Sequence, residues 1–307
     1  MTRWTLRLGL FIAAVLFSGC GGSQVPAAGT TAPAAAAQHA AGAARRAQQL
    51  YVSTIDGGSV VVYSAGISPQ ELQTITDGVP RPGGIWVDKH GVLYAVNVPD
   101  SSYQTSLPEY KPGATAPFET ITDGIVNCGN VAVDAKGNTY VTGTDTANGS
   151  LFLEIYPKGQ LSPSETLTIP HTGLADIGGL AFDSSGALLI GESIFESKGA
   201  VYRLPLGSQT FTNVGLHQIN GGAITVDASG NLYVGGTTSI AIFAPNTTKP
   251  SRVIKITGTG ISALALDAAG DLYVGTDESI SVYAPGMKKL ANTFTIPGHV
   301  GGIALST

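Results

Sequence analysis

The residues able to do chemistry fall into two sets with different spacing. The first is a series of aspartates, Asp88, Asp134, Asp183, Asp227 and Asp267, each followed three positions later by glycine and recurring at steps of 46, 49, 44 and 40 residues. Carboxylates in Asp-x-x-Gly could hold calcium or work as acid–base pairs. An Asp that opens a tight turn and a Gly that ends it is also the ordinary type I preference, the side chain accepting from the amides ahead of it. Copies at a common period point to the structural role. The second set is irregular: His171, His217 and His299, with Asn97, Tyr103, Asn130, Asp176 and Glu192. Neutral imidazoles converging from separate segments can bind a divalent metal, but no His-x-His or Glu-partnered spacing marks these three, which favours solvated loop histidines. No Gly-x-Ser-x-Gly elbow, phosphate loop or Cys-x-x-Cys pair occurs in the chain, so no residue is assigned a catalytic role.

The aspartates belong to a repeat. Each stands between two apolar runs, as in IWVDKHGVLYAV (85–96), ITVDASGNLYVG (224–235) and LALDAAGDLYVG (264–275). Short β-rich runs joined by such a turn form a hairpin. A third run follows, such as VVVYSAG (60–66) or SVYAPG (281–286), and then a Thr- and Ile-rich fourth, such as FETITDG (118–124) or TFTIPG (293–298). Four short strands at a period of 40–50 residues are the signature of a β-propeller blade. The chain ends on Gly301-Gly302-Ile303-Ala304-Leu305-Ser306-Thr307, a first strand without successors, and the repeat begins at Gln49-Leu50-Tyr51-Val52, a second strand without its first. Joined, they complete a sixth blade, so an all-β, six-bladed propeller is expected over 49–307, latched by its two termini.

The first 48 residues have another character. Arg3 and Arg7 precede an apolar run from Leu8 to Phe17, ten residues long, half the length a spanning helix needs and suited to a signal peptide. Phe17-Ser18-Gly19 before Cys20 resembles a lipobox, which implies cleavage after 19 and a diacylglyceryl group on Cys20. Residues 1–19 are therefore expected to be a lipoprotein signal peptide. Residues 20–48, rich in Ala, Gly and Pro, are expected to form the lipidated start of a flexible tether. The expected location is outside the cytoplasm, periplasmic or at the cell surface, with the lipid as the only membrane attachment. Cys128 is the one other cysteine, so with Cys20 acylated no disulfide can form.

Charge narrows the partners. The formal net charge is −5, and four of the 16 basic residues (Arg3, Arg7, Arg45, Arg46) lie before the repeats, where no acid does, leaving 12 basic against 21 acidic residues in the body. An acidic body without a basic stripe argues against nucleic acid.

The stretches Pro82-Gly83-Gly84-Ile85-Trp86-Val87-Asp88 and Asp227-Ala228-Ser229-Gly230-Asn231-Leu232-Tyr233-Val234 resemble the NHL-repeat propellers and their gluconolactonase and strictosidine-synthase-like relatives. The resemblance covers about residues 49–307 and is specific for fold rather than activity. It implies that any site lies where loops crowd the central channel. Gluconolactonase-like enzymes hold a metal with Glu, Asn and Asp near inner-strand ends, and at the second-strand ends here only Asn97 and Glu192 could serve. Converging histidines would echo the peptidyl-amidoglycolate and streptogramin lyases, which are metal-dependent propellers. Two functions remain. The favoured one is a non-catalytic, monomeric lipoprotein that binds an unknown protein or small molecule through Asn97, Tyr103, Asn130, His171, Asp176, Glu192 and His217, without a cofactor. The alternative is a lactonase or lyase using a divalent metal at the channel mouth.

Overall fold

In this computed structural model the structure describes residues 47–98, 105–171, 175–194, 199–216, 222–256, 260–286 and 289–306. Cys20, the signal peptide and the tether up to residue 46 lie outside them, as do Tyr103 and His217. The repeats form one compact unit over Arg46–Thr307.

Blade 1 contributes β1 (Gln49–Thr54), β2 (Ser59–Ser64) and β3 (Glu71–Ile75). Blade 2 is β4 (Pro82–Val87), β5 (Leu93–Asn97), β6 (Leu107–Tyr110) and β7 (Glu119–Ile121), and blade 3 is β8 (Cys128–Val133), β9 (Thr139–Thr144), β10 (Leu151–Tyr156) and β11 (Glu165–Thr168). Blade 4 is β12 (Ala175–Phe182), β13 (Leu188–Ile194), β14 (Ala200–Leu204) and β15 (Thr212–Asn213). Blade 5 is β16 (Ala223–Val226), β17 (Leu232–Gly235), β18 (Ser239–Phe243) and β19 (Arg252–Lys255). Blade 6 is β20 (Ala263–Leu266), β21 (Leu272–Thr276), β22 (Ser279–Tyr283) and β23 (Leu290–Thr295), and β24 (Val300–Leu305) returns to blade 1. Six four-stranded antiparallel sheets result, with β24 heading the order β24-β1-β2-β3, as the termini lead one to expect.

The register of that closure is fixed by Leu50 opposite Leu305, Tyr51 opposite Ala304 and Val52 opposite Ile303. The inner strands pack in sequence, β4 on β8, β8 on β12, β12 on β16, β16 on β20, β20 on β24 and β24 on β4, so the ring is shut.

Each interface between blades carries its own apolar cluster. Leu50, Val52, Tyr273 and Ile280 fill the junction of blades 6 and 1, and Leu151, Leu153, Leu188 and Ile190 that of blades 3 and 4. A fully buried aliphatic side chain stabilises by about 1.5–3 kcal/mol, so the core is distributed around the ring rather than concentrated at one point. The axis itself is crowded. A Cβ on Gly84 would come within 2.8 Å of both the Gly129 carbonyl and Asn130 Oδ1, which explains why the inner strands β4, β8, β12 and β24 carry glycine ahead of their apolar residues.

The Asp-x-x-Gly turns have the structural role read from their periodicity. Asp88 Oδ1 accepts from the amides of His90 (2.8 Å) and Val92 (2.9 Å), and Gly91 closes the turn at φ 79°. The same pair of amide bonds recurs at Asp134, Asp183, Asp227 and Asp267. In blades 3, 5 and 6 the other carboxylate oxygen takes the hydroxyl of the tyrosine six positions on, Tyr140, Tyr233 or Tyr273.

Candidate functional site

The central channel has two chambers. At the face away from the Asp-x-x-Gly turns, a cavity of about 530 Å³ is lined by inner-strand glycines together with Arg81, Asn130, Asp176, Ser193, Thr237 and Ser262. Below it, a second space of about 360 Å³ is walled by the apolar inner strands, including Trp86, Phe182 and Leu264. Trp86 and Phe182 meet edge to face with centroids 5.7 Å apart, a favourable quadrupole geometry. A largely apolar cavity with a few convergent polar side chains is the usual form of a small-ligand site.

The expected site residues divide in this geometry. Asn130 and Asp176 share the mouth cavity. Asn130 Nδ2 donates to the Ile177 carbonyl at 2.8 Å, tying blade 3 to blade 4, and Asp176 Oδ1 accepts from the Ile177 amide at 2.8 Å. Asn97 is buried and stands apart: its Oδ1 accepts from the Arg81 amide at 3.0 Å and so caps the loop that enters blade 2.

Glu192 is the unusual member. Its side chain is 0% exposed, and neither carboxylate oxygen has a hydrogen-bond partner. Leu188, Ile190 and Glu192 alternate onto the face of β13 that packs on blade 3. Tyr140 and Thr142 alternate onto the facing side of β9, and Thr142 Oγ1 is likewise buried without a partner. Burial pushes the Glu192 carboxyl above its ordinary value, and the charge of nearby His171 pulls it part of the way back. The next residue on β13, Ser193, faces the mouth cavity, so this acid lies just behind its wall.

The two described loop histidines, His171 and His299, do not gather. His171 is half-buried beside Glu192, at the junction of blades 3 and 4. His299 bridges Asp56, through Nδ1, and Asp277, through Nε2 at 2.8 Å, across the junction of blades 6 and 1 on the far side of the ring. Among the described residues no group of three or more His, Cys, Asp or Glu side chains is disposed to hold a metal ion.

Ser262 and Asn130 carry a signal that aligning the repeats exposes. Ser262 occupies the inner-strand position held by Gly83, Gly129, Gly178, Gly222 and Gly301 in the other blades, and Asn130 the next one, held by Gly84, Gly179 and Gly302 or by alanine. Polar side chains where the repeat keeps the axis bare are the departures that give the mouth its chemistry.

Fold and cavity together define a β-propeller of six four-stranded blades with a channel mouth that gathers a few polar side chains. No protein-family model matches the chain, and no curated protein does. Among solved structures it is similar to a protein of unknown function from Bacteroides caccae (10% identity over 85% of this chain and 99% of that one, TM-score 0.62). It is also similar to the WD40 β-propeller domain of Doa1 (13% identity, 82% and 81% covered, TM-score 0.58). A gluconolactonase from Xanthomonas campestris is similar too (14% identity, 77% and 79% covered, TM-score 0.56). At such identities the likeness is one of fold.

Proposed function

We propose that this chain is an exported lipoprotein, held at a membrane through Cys20, whose propeller captures a small polar ligand or a segment of a partner at the channel mouth without transforming it. The observation that carries this reading is the mouth cavity of about 530 Å³, into which Arg81, Asn130, Asp176, Ser193, Thr237 and Ser262 bring polar groups over a largely apolar wall. Its side chains already serve the fold: Asn130 bridges two blades and Asp176 fixes its own backbone. What they leave for a ligand is a rim of backbone polar groups, Ser193, Thr237 and Ser262, which suits recognition.

The alternative, a metal-dependent lactonase or lyase of the kind the sequence resembles, draws support from the unpartnered carboxylate of Glu192. Metal analysis separates the two. About one divalent ion per chain, lost in Glu192→Gln together with hydrolysis of a sugar lactone, favours the enzyme. A ligand screen in which binding survives chelation and falls in a Thr237→Ala, Ser262→Ala variant favours capture. The anchor is tested separately: Cys20→Ser should move the protein from membrane to soluble fractions, since the remaining apolar run is too short to hold it.

A further inference from the structure

Another cavity, of about 360 Å³, opens on the turn face between blades 2 and 3, away from the channel. Its walls differ in charge. Blade 2 supplies Glu109, Glu119 and Asp88 beside Lys89, whose ammonium donates to the Ala135 carbonyl, and blade 3 supplies Lys136 and Lys158 beside Asp134, whose carboxylate caps its own turn, with Val92, Ile121 and the Phe118 ring between them.

Glu109 is where the repeat is broken. The third-strand residue opposite the second-strand tyrosine of the repeat is Val62 in blade 1, Ile155 in blade 3, Ile242 in blade 5 and Val282 in blade 6. In blade 2 the residue opposite Tyr94 is Glu109. An acid thus replaces an aliphatic side chain at a position that is 8% exposed. Its other cross-strand neighbour is Glu119, and like charges directly opposite are destabilising. Burial, then Glu119 and Asp88, push the Glu109 carboxyl up to about 7, and among the described residues nothing hydrogen-bonds it. In blade 4 the same position holds Arg203, which is answered by Asp183 at 2.7 Å. Blade 2 has the charge without the answer.

We propose that this groove binds a zwitterion: a primary ammonium seated between Glu109 and Glu119, joined by a short apolar stem to a carboxylate that meets Lys136 and Lys158. The apolar floor accounts for the stem, and the excess of acids on blade 2 and of lysines on blade 3 accounts for the two ends, Lys89 and Asp134 being engaged with backbone groups. An ammonium fits better than a metal, because these acids are not disposed as a set of metal ligands.

The probe is 6-aminohexanoate, titrated into the purified protein by calorimetry, with hexylamine and hexanoate as the compounds lacking one end. The expected result is binding of 6-aminohexanoate at least about tenfold tighter than of either, with Glu109→Gln removing that advantage. A Lys136→Met, Lys158→Met variant should bind 6-aminohexanoate only as well as hexylamine. Affinity should also rise severalfold from pH 6 to pH 8 as Glu109 ionises, with Glu119, Asp88, Asp134, Tyr94, His90, Lys89 and both blade 3 lysines around it, whereas the probe's ammonium stays charged. Glu109→Gln removes a like-charge pair, so a melting temperature no lower than that of the parent certifies its fold. Equal affinity for hexylamine, full affinity in Glu109→Gln, or competition by calcium in place of the zwitterion would each overturn the proposal. None of these outcomes bears on the channel mouth, which lies on the opposite face.

Discussion

Ser53 and Gly302 stand directly opposite each other in blade 1, although 249 positions separate them in the chain. The Ser53 hydroxyl also donates to the Gly83 carbonyl of blade 2 at 2.6 Å, so one side chain ties the first strand to the last and to the neighbouring blade. Deleting residues 301–307 removes the buried Ile303 and Ala304 with this ladder, a loss of roughly 3–5 kcal/mol. The melting temperature should fall by at least about 6 °C, whereas deleting residues 21–45 should leave it unchanged. Equal effects in calorimetry would show that the termini do not latch the ring.

The same junction is braced from outside by His299. The bond to Asp56 and the nearby Asp277 raise its imidazole above the ordinary value of about 6.5. A base raised on folding contributes stability that is complete below the unfolded value and lost as pH climbs through the folded one. The melting temperature of the parent should therefore exceed that of His299→Gln at pH 6, and the gap should close towards pH 9. A gap that widens with pH would contradict the bridge.

Asp227 shows the opposite sign. Partial burial works to raise its carboxyl, but bonds from Asn231, Ser229 and Tyr233 outweigh this and leave it below the ordinary value. Asp227→Ala should cost about 2 kcal/mol at neutral pH. The difference should shrink as pH falls through the folded value, below about 4, where the parent loses the same charge. Retention of full stability by the variant at pH 7 would remove the turn-capping role.

Glu192 should trade stability against recognition. Its raised carboxyl imposes a cost that begins as pH rises past about 4.3 and is complete above the folded value. Glu192→Gln should therefore melt higher than the parent at pH 8, by about 1–3 kcal/mol in stability, and equally at pH 4. If ligand capture at the mouth needs this carboxylate, the same variant loses it. A variant less stable at pH 8 would mean that the acid has a native partner.

Cys128 is buried, and desolvation, with nearby Glu154, pushes its thiol up. Iodoacetamide should leave it untouched in the folded protein and label it in denaturant. Rapid native labelling would show that the junction of blades 2 and 3 opens.

The sequence by itself determined the propeller, the number of blades and the closure, because these rest on local rules repeated down the chain. Asp-x-x-Gly at a fixed period specifies a hairpin wherever it occurs, and the unpaired half-blades at Gly301–Thr307 and Gln49–Val52 could be satisfied only by each other. The tertiary structure decided which polar residues share a space. Asn97 and Glu192 occupy equivalent second-strand positions, yet Asn97 accepts from the Arg81 amide while neither carboxylate oxygen of Glu192 has a hydrogen-bond partner. That difference comes from the loops of neighbouring blades, which no repeat encodes. His171 and His299 lie in equivalent loops, but six-fold arrangement sends equivalent positions to different interfaces, so their likeness in sequence separates them in space. Glu109 reads in the chain as one acid in an ordinary strand. Only its pairing with Tyr94 on one side and Glu119 on the other reveals a buried charge without an answer, because cross-strand register is a property of the folded sheet.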